Sequence, residues 1–113
     1  AFTVMLISCG DGEATDDQIR AVGEAVERTT RNSDLVSHVG AGHYVVLLIG
    51  TNLQGARIAA DRVELSLGTV APRPLSFGLA SYSPHMKESI QLLDAAESAL
   101  LAAEAAGGGV ELG

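Results

Sequence analysis

The chain has no tryptophan, and two phenylalanines and two tyrosines supply all its Phe, Tyr and Trp content. Its core must therefore be aliphatic, built from Leu, Val, Ile and Ala, and its surface is short of rings on which nucleic-acid bases could stack. Basic residues are scarce too: seven Lys and Arg stand against 14 Asp and Glu, for a net charge of −7. That balance excludes a nucleic-acid polymer as partner, because a phosphate backbone needs a field of Lys and Arg to displace its counterions. A small anion held by a local arginine cluster remains compatible. The single cysteine, Cys9, has no partner for an intramolecular disulfide and sits in an apolar segment, which fits a reducing, cytoplasmic setting. No apolar run is long enough to cross a bilayer, so no membrane contact by this domain is expected. The opening Ala1-Phe2-Thr3-Val4-Met5-Leu6-Ile7 is too short, and lacks the basic flank, for a signal peptide.

The 113 residues are 47% hydrophobic, enough for one domain with a single core. Residues 1–113 are read as that one domain. A start inside a strand without an initiator Met suggests excision from a longer, multidomain protein. Elements alternate as in an α/β layer architecture. Phe2 to Ser8 is a nearly continuous apolar run, as in a strand covered on both faces, and Cys9-Gly10-Asp11-Gly12-Glu13 breaks it. Thr15 or Asp16 can cap a helix with Ile19, Val22 and Val26 on one face, ending near Arg31. Leu35 to Val39 and His43 to Ile49 read as a hairpin, since Gly40 and Gly42 permit the positive backbone angles of a tight turn. A second helix is expected from Leu53 to Leu67, with Leu53, Ala56, Ala60, Val63 and Leu67 on one face. Pro72 and Pro74 punctuate the next connection, Leu75 to Tyr82 reads as a strand, and Lys87 to Ala106 as an alanine-rich helix ended by Gly107-Gly108-Gly109. Val110-Glu111-Leu112 could add an edge strand.

Arg31-Asn32-Ser33-Asp34 stands five residues ahead of Gly40-Ala41-Gly42-His43-Tyr44. This spacing resembles the bacterial GGDEF, or diguanylate cyclase, domain, in which an R-x-x-D motif precedes a Gly-Gly-Asp/Glu-Glu-Phe hairpin. Further segments follow in that family's order. Leu75-Ser76-Phe77-Gly78-Leu79-Ala80 looks like its "vSiGvA" strand, Ala96 to Glu104 like its "AD-x-AL-Y-x-AK" helix, and Gly107 like the glycine of "GRNRV". The resemblance covers nearly the whole chain. It implies an α/β (α+β) fold of the nucleotidyl-cyclase palm type, a central mixed sheet containing antiparallel pairs and flanked by helices.

It also implies that the cyclase chemistry is gone. Joining two GTP molecules into cyclic di-GMP is phosphoryl transfer, which needs carboxylates to hold divalent metals and cations to neutralise phosphate. The metal-binding Asp of the family matches Ser8, and the acidic pair of the signature matches Gly42 and His43. The phosphate-clamping Lys and Arg match Glu104 and Gly108. The guanine-reading segment between Ser8 and Asp16 is several residues short; Asp16 matches a guanine-binding aspartate, but its asparagine partner has no counterpart, and Asp16 also reads simply as a favourable charge at a helix N-terminus. The domain is accordingly read as a degenerate, catalytically inactive GGDEF domain that needs no cofactor or metal.

The R-x-x-D motif belongs, by the resemblance, to an inhibitory site for cyclic di-GMP, often completed by an arginine from the following helix. Arg31, Asp34 and Arg62 match those positions. An arginine fork suits phosphate or the guanine O6/N7 edge, and an aspartate can accept from guanine N1 and N2. The same residues also read as solvated ion pairs: Arg31 near a helix C-terminus with Asp34, and Arg62 with Glu64 or Glu97. Two functions thus stand side by side, a cyclic di-GMP receptor and a ligand-independent regulatory or dimerisation module acting on sensory or phosphodiesterase neighbours. A pocket that binds GTP without turnover is disfavoured by Glu104. His38, His43 and His85 have no metal-ligand spacing, although His38 and His43 could meet across the hairpin. Ser33, Ser37, Ser76 and Ser81 lack the partners of a nucleophilic triad.

Overall fold

The computed structural model describes residues 2–9, 15–40, 42–67, 75–83, 86 and 88–113. The expectations placed on Gly10 to Glu13, on Pro72 and Pro74, and on Ala41, His85 and Lys87 lie outside these residues. Five strands and three helices occur in the order β1 (Phe2–Ser8), α1 (Asp16–Thr29), β2 (Leu35–His38), β3 (His43–Ile49), α2 (Leu53–Leu67), β4 (Ser76–Ser81), α3 (Ser89–Ala105) and β5 (Gly109–Leu112). They form one sheet in the order β2-β3-β1-β4-β5. Three of the pairings are antiparallel, and β4–β5 is parallel because α3 crosses over between them. The mixed sheet flanked by helices matches the expected fold class.

Local chemistry fixes the ends of these elements. Thr15 caps α1: its side chain accepts from the Gln18 amide at 3.1 Å, while Gln18 Oε1 accepts from the Thr15 amide at 2.9 Å. The two bonds satisfy N–H groups that a helix start leaves open. Asn52 does the same for α2, its Oδ1 accepting from the Gly55 amide at 2.9 Å. The third helix begins at Ser89, two residues later than the spacing suggests, because Glu88 is extended (φ −135°, ψ 147°) and acts as the cap.

The central strand β1 sends alternate side chains to two cores, as the two-residue strand period requires. Met5 and Ile7 pack with Tyr44, Val46, Leu48, Phe77 and Leu79 beneath α1 and α2, whose contributions include Val22, Val26, Ala56, Ala60 and Val63. Val4 and Leu6 pack with Ala80 beneath Leu92, Ala96 and Leu100 of α3. No helix among the described residues is long and apolar enough to cross a membrane.

Candidate functional site

The loop from α1 into β2 and the turn from β3 into α2 meet at one end of the sheet. A cavity of about 430 Å³ opens there, and Arg31, Asp34, Thr51, Asn52 and Arg62 are among its lining residues. The fold therefore brings the three sequence-selected residues to one place from two elements. Their roles differ. The Asp34 carboxylate is only 3% exposed. Its Oδ2 accepts from the Arg31 backbone amide at 2.9 Å, and its Oδ1 accepts from the Ile49 amide at 3.0 Å. Both oxygens thus serve the backbone, closing the turn before β2 and tying it to the end of β3. Arg31 completes the tie, donating one guanidinium nitrogen to the Ile49 carbonyl at 2.9 Å and to Thr51 Oγ1 at 2.8 Å. Its Nε lies 4.0 Å from Asp34 Oδ2, the Arg31–Asp34 ion pair expected from their spacing.

Arg62 is exposed on α2 and forms no ion pair with a described residue, so neither Glu64 nor Glu97 neutralises it. The cavity therefore holds two guanidinium groups and a carboxylate that the backbone occupies. Thr51 and Asn52 also line it, and sequence reading missed them. Their only signal was a Thr-Asn pair just ahead of a helical pattern, which reads as a cap and nothing more.

At the opposite end of β3 the turn is as glycine permits: Gly40 has φ 67° and Gly42 φ 75°, values that L side chains seldom adopt. Ala41 lies outside the described residues. Ser8 is fully buried, in register with His43 on one side and Ser76 on the other. Tyr44 is a core residue whose hydroxyl donates to the Ile19 carbonyl at 2.8 Å. Its pKa is raised, first by burial and then by Cys9 and Glu27. A methyl group on Gly23 would come within 2.7 Å of that hydroxyl oxygen, so α1 needs a glycine where it passes over Tyr44.

The two hairpin histidines do not meet. His38 is in register with Tyr44 and stacks on its ring at 4.7 Å, on the α1 face, whereas His43 is one residue out of phase and lies on the α3 face with Val45. Strand alternation forbids the approach that sequence proximity suggested. No group of three His, Cys, Asp or Glu side chains suited to a metal ion occurs among the described residues.

A family model described as "Diguanylate cyclase, GGDEF domain" matches residues 9–109. The chain belongs to the GGDEF domain family. Solved GGDEF structures share its fold. The GGDEF domain of TpbB (YfiN) from Pseudomonas aeruginosa is 25% identical with a TM-score of 0.81, over 98% of this chain and 76% of that one. The GGDEF domain of DgcB from Caulobacter crescentus, in complex with cyclic di-GMP, is 13% identical with a TM-score of 0.83, over 98% and 77%. The diguanylate cyclase SiaD from P. aeruginosa, in complex with its activator SiaC, is 23% identical with a TM-score of 0.79, over 99% and 50%. The chain thus spans half the length of SiaD. No curated protein matches it in sequence.

Within this GGDEF domain the thiol of Cys9 invites a reactivity reading that its surroundings oppose. It is buried, and burial pushes its pKa up to about 11. The reactive form is the thiolate. Cys9 is therefore expected to resist iodoacetamide at pH 8 in the native domain and to be labelled at once in urea, as read by mass spectrometry. Equal labelling in both would show an accessible thiol. With the folded pKa raised, the neutral thiol contributes stability that is whole below about pH 9 and is lost as pH rises through about 11.

Proposed function

We propose that this GGDEF domain is catalytically silent and acts as a regulatory receptor, holding cyclic di-GMP at the cavity lined by Arg31 and Arg62. One observation carries the reading: two arginines far apart in sequence flank one cavity, and Arg62 is paired with no described carboxylate. Paired guanidinium groups suit a bridging phosphate or a guanine edge. Asp34 enters as a positioning residue, since both its oxygens accept from backbone amides. The cyclic di-GMP complex of DgcB, a domain of the same fold, supports the choice of ligand. Catalytic silence rests on Ser8, Gly42, His43 and Glu104, which offer neither the carboxylates for two metals nor the cations for a triphosphate. Neighbouring sensory or phosphodiesterase domains, or a second copy, are the receivers of the signal in this scheme.

Calorimetric titration with cyclic di-GMP tests it. Arg62→Ala is expected to weaken binding about tenfold or more with an unchanged melting temperature. Arg31→Ala should lower both, because it also holds Ile49 and Thr51. No heat up to high micromolar ligand would remove the receptor reading and leave the ligand-independent module. Cyclic di-GMP formed from GTP with Mg²⁺ or Mn²⁺ above a protein-free control would refute catalytic silence.

A further inference from the structure

A guanidinium grips a phosphate or a guanine edge with two parallel N–H groups. Its Nη2 belongs to both edges that can do this, the one shared with Nε and the one shared with Nη1. In Arg31, Nη2 already donates to the Ile49 carbonyl at 2.9 Å and to Thr51 Oγ1 at 2.8 Å, two acceptors for its two N–H groups. Nε faces the Asp34 carboxylate at 4.0 Å. Neither two-pronged edge is open, and Arg31 offers the cavity single contacts from Nη1 alone.

The two acceptors differ in how they can yield. The Ile49 carbonyl is main chain at the end of β3, and the amide of the same residue is tied to Asp34 Oδ1 at 3.0 Å. Thr51 Oγ1 is a side-chain hydroxyl on a main chain pinned by the sheet: the Thr51 carbonyl accepts from Thr3 Oγ1 at 2.7 Å. Thr3 is fully buried in β1, and with its one proton given to Thr51 its oxygen accepts from Ser81 Oγ of β4 at 2.6 Å. The chain Ser81–Thr3–Thr51 thus fixes Thr51 beside the guanidinium. Its hydroxyl competes with a ligand for the same N–H group.

We propose that Thr51 sets the affinity of the arginine cavity: its hydroxyl occupies one prong of the Arg31 fork, and a cyclic dinucleotide gains a two-pronged contact only by displacing it. The Ile49 carbonyl keeps the guanidinium in place while Thr51 lets go. The inference rests on the reading of this cavity as the cyclic di-GMP site and adds a residue that opposes the ligand there.

Calorimetric titration of Thr51→Val with cyclic di-GMP tests it. Valine keeps the Cγ2 methyl, which packs so near Gly55 that a Cβ added there would lie 2.9 Å from it, and removes only the acceptor. Binding should tighten about fivefold, the net worth of one hydrogen bond, with the melting temperature unchanged or lower. Damage to the fold does not raise affinity, so a gain of this sign separates the proposal from a merely structural role. Thr51→Ser restores the hydroxyl and should return the affinity toward that of the wild type. In an Arg31→Lys background, which keeps the charge but has no fork, Thr51→Val should bring no gain. Unchanged or weaker binding by Thr51→Val, or a gain that survives Arg31→Lys, overturns the proposal and leaves the cyclic di-GMP reading intact. No binding by the wild type and Thr51→Val alike removes both.

Discussion

Adding one methyl group at Gly78 is expected to destabilise the domain by about 3 kcal/mol, the upper end for overpacking a tight core. Gly78 lies in β4 directly beneath α3, and a Cβ built there collides with the Ala96 carbonyl oxygen and the Leu100 amide nitrogen, with the Leu100 Cα at 2.8 Å. These are backbone atoms of a helix, so no side-chain rotation relieves them. The helix must lift, and it carries Ala96, Leu92 and Leu100 out of contact with Val4, Leu6 and Ala80. Against a total stability of roughly 5–15 kcal/mol for a domain, such a loss is large. A fall in melting temperature of about 12 °C or more for Gly78→Ala is the expected reading at this chain length. Gly40→Ala is the control: nothing lies within 4 Å of its added methyl, but φ is 67°. It should cost only the left-handed strain of roughly 1–2 kcal/mol. A Gly78→Ala protein that melts with the wild type would mean that α3 does not rest on β4 as described.

The sequence pattern made the order of elements legible because each apolar period is local. The Leu53 to Leu67 helix has the expected ends, and Ala56, Ala60 and Val63 of its expected face are fully buried. The hairpin is legible for the same reason, its glycines having few other uses. Gly78 was visible only as part of a family-like strand; that it is the point where α3 touches the sheet depends on a distance between segments nearly twenty residues apart, which no local period encodes.

The candidate site shows where a motif stops informing. Arg-x-x-Asp reads alike whether its aspartate meets a ligand or a backbone amide. The Ile49 amide that decides the matter is 15 residues away and arrives only through the β2–β3 pairing. Likewise His38 and His43 looked like neighbours until strand alternation set them on opposite faces.

Asp34 therefore carries the second large effect. Asp34→Ala removes the acceptors of the Arg31 and Ile49 amides and the carboxylate beside Arg31 Nε. Unmet donors of this kind, bonded to a charged acceptor, cost about 1.5–3 kcal/mol each. Water can reach part of an exposed loop, so a total of about 3 kcal/mol is expected, seen as a lower urea midpoint. The same turn sets the Arg31 guanidinium on Ile49 and Thr51, so affinity for cyclic di-GMP should fall together with stability. Asp34→Asn separates the two roles. It keeps one oxygen acceptor and turns an amide group toward the other N–H, so a positioning residue loses stability and affinity in parallel. A residue that touches the ligand would instead lose affinity while the urea midpoint stayed near the wild-type value. That second pattern would return Asp34 to the ligand-contact role suggested by its motif, and would require the carboxylate to leave both backbone amides when the ligand binds.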